Sequence, residues 1–148
     1  QWLEPLGIVI PFTFVAVVFA QVFVAAPFYI RSARLGFEAV TMEYEELSQT
    51  LGVSPIRTFW RVTLPLAGPS LLGGFALAWA RAISEFGATI MFAGNLTGKT
   101  QTMPLAIMSA METSLNTALV LSVLLILGSL TLLAAMGYIA RRRWQGEA

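Results

Sequence analysis

The chain has 148 residues, of which 57% are hydrophobic and 11% charged, with a mean hydropathy of +0.75; a soluble domain ordinarily carries about 25% charged residues. Water is therefore not its principal solvent, and a single integral membrane domain is expected from 1 to 148. The net charge of +1, with neither cysteine nor histidine, excludes disulfides and thiolate or imidazole metal sites and leaves no convincing catalytic, cofactor or metal constellation. No basic face with interleaved aromatics suggests nucleic acid.

The chain opens on Gln1 and enters an apolar stretch almost at once, with no initiator Met, basic leader or cleavage site, so it is read as a segment lacking its natural N-terminus. Leu6 to Ile30 contains no charged residue; as a helix it is roughly 37 Å long, enough to cross a hydrocarbon layer of about 30 Å with some tilt. Pro11 and Pro27 are expected to kink this first span near both ends. Its one amide side chain, Gln21, is read as a hydrogen bond to a neighbouring helix.

Arg31 to Arg61 is the most polar stretch, with Arg34, Glu38, Glu43, Glu45, Glu46 and Arg57 inside it, and it must lie outside the hydrocarbon. Met42 to Leu51 reads as a short helix stopped by Gly52 at the left-handed position after its C-cap. Ser54 then caps a second helix with Pro55 in its first turn, and Leu64-Pro65 is expected to end it. The result is a helical hairpin over about 43–65.

A second span is expected over 66–94, interrupted only by Arg81 and Glu85 and rich in glycine and alanine, which let helix backbones approach closely in lipid. The loop that follows, about 94–114, carries Lys99 and a short helix expected over Thr102 to Met111. A third, uncharged span, 115–140, ends in Arg141, Arg142 and Arg143. Arginine on the hairpin and at the C-terminus, against the single Lys99 between spans two and three, places hairpin and C-terminus in the cytoplasm and the 94–114 loop outside.

Arg81 and Glu85 are spaced i, i+4 and can pair on one helix face, which reduces the cost of ionisable groups at membrane depth. They suggest either a transport path, with Phe86, Gly87 and Met91 beside it, or a structural pair at a helix break. An ion-coupled secondary transporter in which Glu85 titrates is one reading of these residues; a membrane scaffold using the hairpin only for assembly is another.

The hairpin resembles the signature of ABC importer permeases, Glu-Ala-Ala-x3-Gly-x9-Ile-x-Leu-Pro. The matching residues are Glu46, Leu47 and Ser48, then Gly52, then Val62, Thr63, Leu64 and Pro65, with Leu47 and Ser48 in place of the alanines and Val62 in place of isoleucine. In that family the hairpin forms coupling helices seated in a groove of the ATPase subunit, a role the resemblance carries to Glu43 through Pro65. A second run, Arg81 to Asn95 with Glu-Phe-Gly-Ala-Thr-Ile inside it, then Lys99-Thr-Gln-Thr-Met-Pro, is most similar to molybdate and tungstate permeases, with sulfate permeases near.

The resemblance implies an all-α helical bundle lacking its N-terminal spans. It implies the permease subunit of an importer for an oxyanion, molybdate or tungstate, with sulfate or thiosulfate as the alternative, in a bacterial or archaeal cell membrane. It implies transport by alternating access. The partners implied are a separate ATPase carrying ATP and magnesium, a second permease copy, membrane lipid, and an extracytoplasmic oxyanion-binding protein meeting Asn95, Lys99, Thr100, Gln101 and Thr102. No P-loop pattern occurs, so the chain itself is expected neither to bind ATP in that way nor to act as an enzyme.

Overall fold

The computed structural model describes residues 11–144, and every regular element among them is helical. Seven helices follow in order: α1 Phe14–Glu38, α2 Met42–Thr50, α3 Pro55–Thr58, α4 Leu64–Ile83, α5 Gly87–Ala93, α6 Met103–Thr113 and α7 Leu115–Trp144, with a π-helical turn, Phe59–Thr63, joining α3 to α4. Three helical stretches are long and apolar enough to cross a membrane: Phe14–Glu38, Pro55–Ile83 and Leu115–Ala140. The chain is an all-α membrane protein.

The described structure divides into two compact units. One comprises Gln1–Ala26 with Trp79–Leu132, the other Pro27–Ala78 with Leu133–Ala148. In the first, most buried apolar residues are small: Ala16 and Val17 of α1 cluster with Ala93 of α5, and Leu105 of α6 is the largest side chain wholly buried. Large apolar side chains such as Phe19, Phe23, Met91 and Leu127 are exposed. The most apolar window of α7 buries none of its residues. An apolar exterior on alanine-lined contacts suits helices solvated by lipid or by further helices.

The second unit is built on a close crossing of α1 and α4. A β-carbon added at Gly36 would lie 2.6 Å from Ser70 Cβ, and one at Gly74 would lie 2.5 Å from Ser32 Cβ. Each serine therefore sits over the glycine of the other helix, with i, i+4 spacing on both. The Ser32 hydroxyl donates to the Ser70 carbonyl at 3.2 Å, and Tyr29 meets Phe75 edge to face at 6.5 Å.

The helix boundaries differ from the sequence reading in four places. Leu6 to Ile10 lie outside the described residues; Pro11 falls in a turn before α1, whose first turn is capped by Thr13 accepting the Ala16 amide at 3.3 Å. At its other end α1 continues past Ile30 to Glu38, where Arg34 pairs with Glu38 at 2.7 Å across one turn.

The expected stop at Leu64-Pro65 does not occur. The Leu64 amide reaches back five residues to the Phe59 carbonyl, and this wider turn leaves room for the Pro65 ring, which in an α-helix crowds the carbonyl four residues back. Helix is thus continuous over Pro55–Ile83. The expected 66–94 span instead breaks after Ile83, at Ser84–Phe86, before α5.

Gly73, beside Gly74 in α4, has open space where a β-carbon would go. Gly74→Ala should therefore lower stability by about 1–3 kcal/mol through overpacking, whereas Gly73→Ala should raise it by up to about 1 kcal/mol, as read by unfolding of the purified protein in detergent.

Candidate functional site

The hairpin is set by a complete C-terminal cap on α2. Gly52 has φ of 79°, and its amide donates to the Gln49 carbonyl at 2.9 Å while the Val53 amide donates to the Ser48 carbonyl at 3.2 Å. These are the paired bonds of a Schellman motif, which requires a left-handed residue at the glycine position. Nothing lies within 4 Å of a β-carbon at Gly52, so the constraint there is backbone conformation and not space.

Two side-chain bonds cross the hairpin. Ser48 Oγ and Thr58 Oγ1 are 2.9 Å apart, and Thr63 Oγ1 donates to Glu45 Oε1 at 2.6 Å. Thr58 and Thr63 are both buried, Glu45 and Ser48 half-buried. Phe37 of α1 stacks on Phe59 at 6.1 Å, and Trp60 meets Phe59 edge to face.

Among the sequence candidates, Glu46 and Leu47 lie exposed on α2, Val62 and Leu64 are half-buried on either side of the π-turn's end, and Pro65 is exposed. The hairpin's free surface is apolar at Met42, Leu47, Leu51 and Ile56, each more than 60% exposed. Glu45 and Thr58 were not singled out by the sequence reading, and Thr63 entered it only as a position within the matched signature; the i, i+3 spacing of Glu45 and Ser48 on α2 was the available signal for a shared face.

The structure brings Arg81 and Glu85 together: Arg81 Nη1 lies 2.8 Å from Glu85 Oε2. The other carboxylate oxygen accepts the Ala88 amide at 2.8 Å, so Glu85, only 4% exposed, joins the end of α4 to the start of α5. Arginine near a helix C-terminus and a carboxylate at a helix N-terminus both complement the helix dipoles. Both oxygens of Glu85 are engaged in splinting the break. Phe86 and Gly87 at the start of α5 are exposed, and Met91 projects into an apolar groove of about 460 Å³ with Phe19, Phe23 and Phe92.

In the 94–102 loop the amides of Lys99, Thr100 and Gln101 all point at the Leu96 carbonyl, at 2.9–3.2 Å, and the Leu96 amide donates to the hydroxyl oxygen of buried Thr100. Asn95 Nδ2 donates to Ser109 Oγ at 2.8 Å. With its hydroxyl oxygen accepting the Leu96 amide, Thr100 braces the loop from within together with Asn95, while Lys99 is exposed and Gln101 and Thr102 are half-buried. Lys99 through Thr102 line a cleft of about 510 Å³ with Gln21 of α1 and Ser129 of α7.

The profile of the family described as binding-protein-dependent transport system inner membrane component matches residues 3–145. The chain is 40% identical over 137 residues to a molybdenum transport system permease protein of Mycobacterium bovis, covering 93% of this chain and 52% of that one. It is 39% identical over 127 residues to a probable transport system permease protein of Clostridium pasteurianum (86% and 44% covered). To a sulfate transport system permease protein of Synechococcus elongatus it is 40% identical over 135 residues (88% and 47% covered). The chain spans about half the length of these relatives.

Two outcomes follow from the geometry. Gly52→Asn, a residue that enters the left-handed region with modest strain, should leave the hairpin folded, whereas Gly52→Val should destabilise it by about 2 kcal/mol or more; amide exchange of Val53 and Thr58 reads the difference. Glu85→Ala, which strips both Arg81 and the Ala88 amide of their acceptor, should cost about 3 kcal/mol, and Glu85→Gln about half that, measured by unfolding in detergent.

Proposed function

Because the chain belongs to the family of binding-protein-dependent transport system inner membrane components, we propose that it is the permease subunit of an ATP-driven importer of a tetrahedral oxyanion, molybdate or tungstate. In this reading hydrolysis takes place on a separate ATPase subunit carrying ATP and magnesium. A second permease copy completes the path through the lipid, and an extracytoplasmic binding protein delivers the anion at the 94–114 loop. The hairpin and the C-terminus face the cytoplasm, as the arginine distribution favours.

The observation that carries the reading is the hairpin: a helix pair fixed by the left-handed Gly52, tied across by Ser48–Thr58 and Glu45–Thr63, with an apolar crest at Leu47, Leu51 and Ile56. A soluble ATPase docking on that crest buries its apolar surface and acquires a grip on the membrane helices. Nucleotide-driven motion then alternates the path between outward and inward openings. The engagement of both Glu85 oxygens favours a splinting role for that residue over proton coupling.

Sulfate is the second reading for the cargo, since the sulfate permease of Synechococcus elongatus is as similar as the molybdenum permease of Mycobacterium bovis. The complete transporter, reconstituted in vesicles with its ATPase and binding protein, is expected to take up labelled molybdate only with ATP, and tungstate is expected to compete better than sulfate. Stronger competition by sulfate would select the second cargo. Uptake driven by a proton gradient without the ATPase would contradict the importer reading itself.

A further inference from the structure

We propose that the Thr63–Glu45 hydrogen bond is the pin through which a push on α2 reaches the membrane helix α4, which makes Glu45 and Thr63 positioning residues for coupling. The inference rests on the docking reading above and adds the residues through which the force passes.

The covalent link between α2 and α3 is the turn 51–54, with its left-handed Gly52. A force applied to the exposed face of α2 would be spent in bending that turn unless side chains bridge the two arms. Two bonds do so: Ser48 to Thr58 near the turn, and Glu45 to Thr63 farther from it. The outer bond has the longer lever arm and the stronger chemistry, a hydroxyl on a carboxylate at 2.6 Å. Its donor is only 7% exposed, which protects it from competing water.

The π-turn is what makes the second bond available. Thr58 and Thr63 are five residues apart, and in an α-helix at 3.6 residues per turn that spacing would rotate one about 140° away from the other. In a π-turn the hydrogen bond spans five residues, so positions i and i+5 come close to one face. The Leu64 amide bonded to the Phe59 carbonyl marks this register. Thr58 and Thr63 consequently both face α2, opposite Ser48 and Glu45. A rare helical turn is thereby given a mechanical purpose immediately before α4.

The test uses the complete transporter with its ATPase and binding protein, and reads uptake per ATP hydrolysed. Thr63→Val keeps the branched shape and removes the hydroxyl; it is expected to assemble with the ATPase in normal amounts and to hydrolyse ATP. Its uptake per ATP should fall about fivefold or more, the lower end of typical coupling effects. Thr63→Ser retains the donor and Glu45→Gln retains an acceptor oxygen, so both should restore most of the ratio. An unchanged ratio in Thr63→Val overturns the proposal, as does a parallel loss of assembly, hydrolysis and uptake, which marks a purely structural bond. A wild-type complex without ATP-dependent uptake overturns the importer reading and this inference together, whereas normal wild-type coupling with a normal Thr63→Val ratio overturns this inference alone.

Discussion

At Gly36 and Gly74 two helix backbones come so near that a single methyl group has no room, each glycine lying beneath a serine of the other helix. That contact holds the two helices that lead into and out of the hairpin. With the crossing fixed, Phe37 can stack on Phe59, and α2 and α3 emerge from a common base. The proposed docking surface at Leu47, Leu51 and Ile56 depends on this arrangement, because an apolar crest transmits force only if its foundation does not yield. Close packing of small residues supplies that stiffness where no hydrophobic effect acts between helices in lipid.

The polar groups within the apolar segments are used in the same economical way. Arg81 and Glu85 raise the expectation of a transport path, since ionisable groups at membrane depth are costly. The structure spends them on a helix break: one Glu85 oxygen for Arg81, the other for the Ala88 amide. The break exposes backbone groups at the end of α4 and the start of α5; Arg81 complements the dipole at the end of α4 and the Glu85 carboxylate complements that at the start of α5. A charged pair can thus be a fastening and still lie beside a path, but its geometry speaks for the fastening.

Much of this was legible in the sequence because it followed from local chemistry. Gly52 between a polar helix and Ser54-Pro55 announces a glycine-capped turn, and the uncharged run to Ala140 announces α7 by length alone. What escaped the sequence was non-local or exceptional. Pro65 signals a helix end, and only a π-turn two residues earlier overturns that signal; no residue pattern in Phe59–Thr63 proclaims it. Thr58 and Thr63 read as ordinary helix positions until the π register turns them toward α2. Likewise the uncharged run ends at Ile30 while the helix itself continues to Glu38, with Arg34 and Glu38 paired across its last turn. Glu46 matched a family motif, yet the acid that crosses the hairpin is Glu45, a distinction that depends on helix phase and not on motif spacing.

These 148 residues contain no cysteine, so one introduced at the exposed Leu51 position is the only thiol among them, and the transporter without that substitution supplies the background. In the complete transporter, Leu51→Cys should resist a membrane-impermeant thiol reagent applied from outside, react with it from the cytoplasmic side, and crosslink to the ATPase subunit in a yield that changes with bound nucleotide. Labelling from the outer face, or the absence of any crosslink to an ATPase, would contradict the account.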